Sequence, residues 1–212
     1  MTRRRDPLAS AEEGSVSYDT LPTPTATEYT NLQRAYQHFN AALFNSELPD
    51  VLITLQRHAN ARGFFRARAF STRERTLAAV LAGLHSHTHE LALNPDTFEG
   101  RTDREIISTL VHEMVHVWEE VHGTAPKRFY HNKIWAQKMK AIGLQPSSTG
   151  QPGGKETGQS CSHYIIQDSP FTHAWEQLAD TGFKLHWQRP VRWVTCRRSP
   201  SHKAPVTLPA SK

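Results

Sequence analysis

Leu32, Ala35, Tyr36, Phe39, Leu43 and Phe44 recur at spacings of three and four, the period of a helix with one face turned to a core. Pro49 marks a limit that this helix cannot cross. The pattern then shortens. Val51 to Gln56, the stretch around Phe64 to Phe70, and Glu90 to Leu93 read as strands between turn-forming or charged segments. Further on, Thr102-Asp103-Arg104-Glu105 forms a capping box, in which the Thr102 hydroxyl accepts from the backbone at Glu105 while that Glu reaches back. Ile106, Ile107, Leu110, Val111, Met114, Trp118 and Val121 extend the helix as an apolar stripe, and Gly123 offers a left-handed stop. A second helical segment runs from His131 to Met139, after a reversal marked by Gly123 and Pro126. A helix, a short sheet and then further helices make an α+β arrangement.

His112-Glu113-Met114-Val115-His116 lies in the middle of the capped helix, with both imidazoles along the edge of its apolar stripe. Two nitrogen ligands one turn apart, with a carboxylate beside the first, are what a zinc-activated water requires. The motif by itself is weak: His and Glu each supply 13 of 212 residues, so about one such chain in twenty would match three fixed positions by chance. The cap, the stripe and the stop around it raise its standing.

Two histidines leave a catalytic zinc one protein ligand short if a position is kept open for water. His122 stands where metzincins place their third ligand, but Glu119 occupies the position at which that pattern has a chain-breaking Gly. Glu119 and Glu120 ride the same helix and read as a solvated face or as support for the ligands. His131 begins a separate segment and can approach from a new direction.

The run from His112 through Gly143, HEMVHVWEEVHGTAPKRFYHNKIWAQKMKAIG, resembles the SprT-like metallopeptidases, whose pattern is HExxH on one helix and a third His at the start of the next. His131, with Trp135 behind it, matches that third position. The likeness extends back through Leu52-Ile53-Thr54-Leu55-Gln56 to the first helix at Tyr29 to Phe44, and forward through Pro146-Ser147-Ser148-Thr149-Gly150 to about Trp187. It implies a zincin-like fold, with a small mixed sheet, an active-site helix and backing helices, and a Zn²⁺ held by His112, His116 and His131 with Glu113 as general base. It also implies a protein or peptide substrate, and relatives in eukaryotes cut proteins crosslinked to DNA. In such a fold the strand nearest the cleft pairs with extended substrate, and Glu90, Leu91, Ala92 and Leu93 are the candidates for that strand. Tyr164, after a Gly-rich loop at Gly150 to Gly158 that could border the cleft, is the candidate phenol for donation to the oxyanion. SprT-like proteins often carry a carboxy-terminal zinc ribbon of two Cys pairs. Only Cys196 stands in that region, so the expectation is a relative without the ribbon.

A length of 212 residues and an apolar share of 37% suit one modest core with tails. The expected organisation is a disordered segment at 1–26, a metallopeptidase domain at 27–187 and a basic tail at 188–212. Neither a signal peptide nor a membrane span is visible, and two isolated cysteines form no disulfide framework, so the cytoplasm is the expected compartment. Positive charge gathers at the ends. Arg3, Arg4 and Arg5 open the chain, and from Gly182 onward Lys184, Arg189, Arg192, Arg197, Arg198, Lys203 and Lys212 occur without one acidic residue. Arg189, Arg192, Arg197 and Arg198 are the candidate phosphate contacts, with Trp187 and Trp193 able to stack on unpaired bases. His85, His87 and His89 alternate, but nothing completes a second metal set, and they read as a solvated linker. The competing reading is a metal-stabilised DNA- or protein-binding module with little peptidase activity. Glu113 weighs against it, since a purely structural zinc needs no carboxylate there.

Overall fold

Thr23 accepts a hydrogen bond from the Ala26 N–H at 3.3 Å, and Pro24 takes a first-turn position whose N–H has no intrahelical acceptor. The first helix, α1 (Pro24–Phe44), therefore starts three residues inside the segment expected to be disordered. The computed structural model describes residues 23–73, 76–81, 87–126 and 130–188. Leu32, Ala35, Tyr36, Phe39 and Phe44 of α1 are buried, as their spacing predicts. Each such large apolar side chain contributes about 1.5–3 kcal/mol through removal from water.

Strands β1 (Leu52–Leu55), β2 (Gly63–Ser71) and β3 (His87–Leu93) form a mixed sheet in the order β1-β3-β2, with a short helix α2 (Leu77–Leu81) between the last two. β3 runs parallel to β1 and antiparallel to β2. Ile53, Leu91 and Leu93 line the core face with Leu55 and Phe65 packed against them. On the opposite face the buried Glu90 carboxylate accepts from the Thr54 hydroxyl at 2.9 Å and from the Gln56 amide, with Arg66 at 3.8 Å.

This topology corrects the assignment of Glu90, Leu91, Ala92 and Leu93 as a substrate-pairing strand. β3 is the central strand, both of its edges are hydrogen-bonded, and all four side chains are buried. The two edges belong to β1 and β2.

The capping box of helix α3 (Asp103–Val121) is present in both directions: Glu105 N–H to Thr102 Oγ1 at 3.3 Å, and Thr102 N–H to Glu105 Oε2 at 2.8 Å. The helix ends at Val121, with Gly123 in the left-handed region at φ 66°. Its apolar stripe understates its burial. Every residue from Ile106 to Val115 is buried, because the sheet, α1 and later elements surround the helix. Helix α4 (Lys133–Ala141) follows, capped by Asn132, whose side chain accepts from the Trp135 N–H at 2.8 Å.

Three further elements have no counterpart among those expected from the hydrophobic pattern. β4 (Leu144–Ser147) and β5 (Ser162–Ile165) form an antiparallel pair, and helix α5 (Pro170–Asp180) stacks Phe171 on Phe39 of α1 at 5.4 Å. Beyond α5 the chain is strapped across α1 and the start of α3. Phe183 and Leu185 are buried, the Leu185 N–H donates to Asp103 at 3.2 Å, and the His186 N–H donates to Glu28 at 3.1 Å. Arg189, Arg192, Arg197 and Arg198 lie outside the described residues, as do Arg3 to Arg5, His85, Trp193 and Cys196. Among the described residues no helix is long and apolar enough to cross a membrane. The architecture is α+β, with α3 at its centre.

Candidate metal centre

One helical turn separates His112 from His116 on α3, and the Gly123 reversal lets the chain return so that His131, two residues before α4, faces them. One ring nitrogen from each of the three lies within 4.8 Å of the others. Among the described residues this is the one group of three that could hold a metal ion. The ring centroids are 5.5 Å apart for His112 and His116, 5.4 Å for His112 and His131, and 5.0 Å for His116 and His131. Trp135 is fully buried and closes the cluster from α4, edge-on to His131 at 4.4 Å and stacked on His116 at 5.6 Å.

Each imidazole has its Nδ1 engaged by a different partner. His116 donates to the Glu119 carboxylate at 3.0 Å, His131 donates to the Gly158 carbonyl at 3.0 Å, and His112 meets Nδ1 of His163 at 3.0 Å. The Nε2 atoms are thereby left as the ligand atoms, since an imidazole held through one nitrogen presents the other. Burial, reinforced by the neighbouring imidazoles, holds His112 well below the ordinary histidine value, and burial lowers His131 to about 4. Neutral rings are the form that ligates a metal. The donor set therefore fits a divalent ion with a preference for nitrogen, zinc among them.

Glu113 is 5% exposed, and burial pushes its carboxyl up to about 7. Its side chain lies against β2. A Cβ built on Gly63 would stand 3.0 Å from Glu113 Oε1, 3.1 Å from Thr109 Cγ2 and 2.8 Å from the Ala92 carbonyl. Only glycine lets the start of the outer strand come this close to the carboxylate. Gly63→Ala is accordingly expected to push β2 and Glu113 apart and to lower the thermal midpoint of the metal-free protein. An unchanged midpoint would rule out this close approach.

His122 caps α3 and donates through Nδ1 to the Trp118 carbonyl at 2.9 Å, apart from the histidine cluster. Glu119 is 1% exposed and not a solvated face; besides His116 it accepts from the Asn132 amide at 2.9 Å. The Gly-rich loop is tied down at its end, where the His131 N–H donates to the Gly158 carbonyl at 2.8 Å and the Gly158 N–H returns a bond at 3.1 Å.

Tyr164 follows His163 on β5. Adjacent residues on a strand leave opposite faces, and His163 of β5 takes the inner one, with Leu144 and Pro146 of β4. Tyr164 shares the outer face with Gln145, whose amide pairs with Glu156 near Lys140. That face is opposite to the one from which His163 reaches His112. His163, which meets His112, is not singled out in the sequence, and four-residue strands carry too little periodicity to assign its face.

Comparison with known proteins adds two findings. The SprT-like family matches residues 32–153, a span that holds most of α1, the sheet and all three histidines. An uncharacterized protein in the mucB 3' region of Salmonella typhimurium is 50% identical over 54 residues, covering 26% of this chain and 70% of that protein.

Proposed function

Because this chain belongs to the SprT-like family, we propose that it is a zinc-dependent endopeptidase in which His112, His116 and His131 hold the metal and Glu113 manages the protons. The observation that carries this reading is the convergence of three imidazole nitrogens within 4.8 Å, beside a buried carboxylate that directly follows the first of them. When bound, the ion supplies a Lewis acid for the scissile carbonyl and a water of lowered pKa. Glu113 accepts the proton of the attacking water and returns it to the departing amine. A carboxyl whose proton affinity lies near neutrality can do both within one turnover. The three Nδ1 partners hold the imidazoles in place while this happens.

The zincin-like reading of the fold goes with this mechanism and assigns the substrate's place. An extended peptide adds to the outer edge of β2, which starts beside Glu113 at Gly63. Substrates are proteins, and the basic run from Lys184 onward favours those associated with or crosslinked to DNA.

The test is degradation of casein by the full chain, with and without single-stranded DNA, and with a chelator. Chelator-sensitive cleavage is expected, lost in His131→Ala together with bound metal and stimulated by DNA at low salt. Cleavage that survives the chelator overturns the zinc mechanism, and full metal occupancy in His131→Ala overturns the ligand set. Equal rates with and without DNA remove the DNA part alone. No cleavage by metal-loaded protein leaves the binding-module reading.

A further inference from the structure

Of the three imidazoles, His112 alone is held by another imidazole. The chain of contacts behind it can be followed proton by proton. The Ser108 hydroxyl donates its single proton to the Glu105 carbonyl one turn back, at 2.8 Å. Toward His163 Nε2, 2.8 Å away, Ser108 therefore offers a lone pair, and His163 carries its proton on Nε2. A neutral imidazole with Nε2 protonated has a bare Nδ1. That atom faces His112 Nδ1 at 3.0 Å, and two bare nitrogens would repel, so His112 is protonated on Nδ1 and bare on Nε2. Ser108, His112 and His163 are all buried, at 3%, 7% and 8% exposure, so water does not compete for these groups.

We propose that the Ser108–His163 pair is a positioning device that fixes both the tautomer and the ring orientation of His112, keeping its Nε2 lone pair aimed into the metal centre. The opposite polarity of the same chain, with Ser108 donating to His163 and His163 to His112, would put a proton on His112 Nε2 and block ligation. The Glu105 carbonyl opposes that reversal by occupying the Ser108 proton. β5 thus reaches across to α3 for a purpose beyond packing, and the device contributes no atom to the substrate or the metal. The inference rests on the metal-centre reading for its purpose, but the polarity of the chain is a property of the metal-free protein.

Two measurements decide it. In the metal-free full chain, long-range proton–nitrogen correlation of the histidine rings is expected to show His112 protonated on Nδ1 and His163 on Nε2; the reverse pair of tautomers overturns the proposal. In chelator competition, His163→Leu is expected to bind zinc about 10- to 100-fold more weakly than the parent, with a changed cobalt absorption spectrum. His163→Asn, whose side-chain oxygen can replace Nδ1 as acceptor, should restore most of that affinity. Parent affinity and spectrum in a folded His163→Leu protein, or equal losses in the Leu and Asn variants, would show that only packing is at stake. Should the Leu variant fail to fold, the ring tautomers of the parent still decide between the two polarities. A parent that binds no metal yet shows the expected tautomers would sink the metal-centre reading and leave the polarity of the chain intact.

Discussion

Glu113→Gln is expected to lower peptide turnover by about 10³-fold or more while leaving metal content unchanged, and to make the metal-free protein more stable than its parent at pH 8. The first effect follows from the loss of the group that takes and returns the proton, a contribution of about 10²- to 10⁴-fold. Gln keeps the volume and one acceptor oxygen but cannot accept a proton at neutral pH. The second effect follows from burial. The Glu113 carboxyl is raised from 4.5 to about 7 in the folded chain. Between those pH values the folded state holds a proton that the unfolded state has released, so stability falls as pH rises through the window. Above pH 7 the full penalty is present, on the order of 3 kcal/mol. Gln carries no such penalty. Thermal melts of both metal-free proteins should coincide near pH 4 and separate progressively up to pH 8, with the variant higher. Parallel melting curves across that range would mean that the buried carboxyl does not titrate as described, and residual cleavage near the parent rate would remove it as the base.

Much of the candidate site is legible in the sequence, and part of it is not. α3 is specified locally. Its cap, its stripe and its left-handed stop lie within about twenty residues, and the histidine pair is placed by helical spacing alone. His131 needs only one further fact, that a second segment starts after a reversal. The sheet is different, because strand order depends on pairing between distant segments. Glu90 to Leu93 look from their composition like any short strand. Their uninterrupted Leu91-Ala92-Leu93 run is nevertheless the mark of a strand covered on both faces, and the buried Glu90 amid Thr54, Gln56 and Arg66 fits a central position. β5 is harder still. Four residues in a two-stranded pair give little periodicity, and a one-residue change of face exchanges Tyr164 for His163.

Glu119 joins the two halves of the metal centre, and its removal carries the other large effect. One oxygen accepts from His116 at 3.0 Å, the other from the Asn132 amide at 2.9 Å, and Asn132 both caps α4 and adjoins His131. The carboxylate is 1% exposed and so shielded from bulk solvent. Glu119→Ala removes the acceptor of two half-buried donors, at a cost of up to about 1–3 kcal/mol, and frees His116 directly and the segment that carries His131 through Asn132. Metal affinity is expected to fall by about 10- to 100-fold in chelator competition. Glu119→Gln is expected to do little better, because both partners are donors and the amide offers only one acceptor; its NH₂ group must face the second donor. That outcome separates this carboxylate from one that merely fills space, for which Gln would be a near-neutral replacement. A double-mutant cycle with Asn132→Ala in the metal-free protein should give a coupling of about 0.5–3 kcal/mol. Strict additivity, with affinity in Glu119→Ala within twofold of the parent, would mean that α3 and α4 hold their histidines independently and that the carboxylate only fills the gap between them.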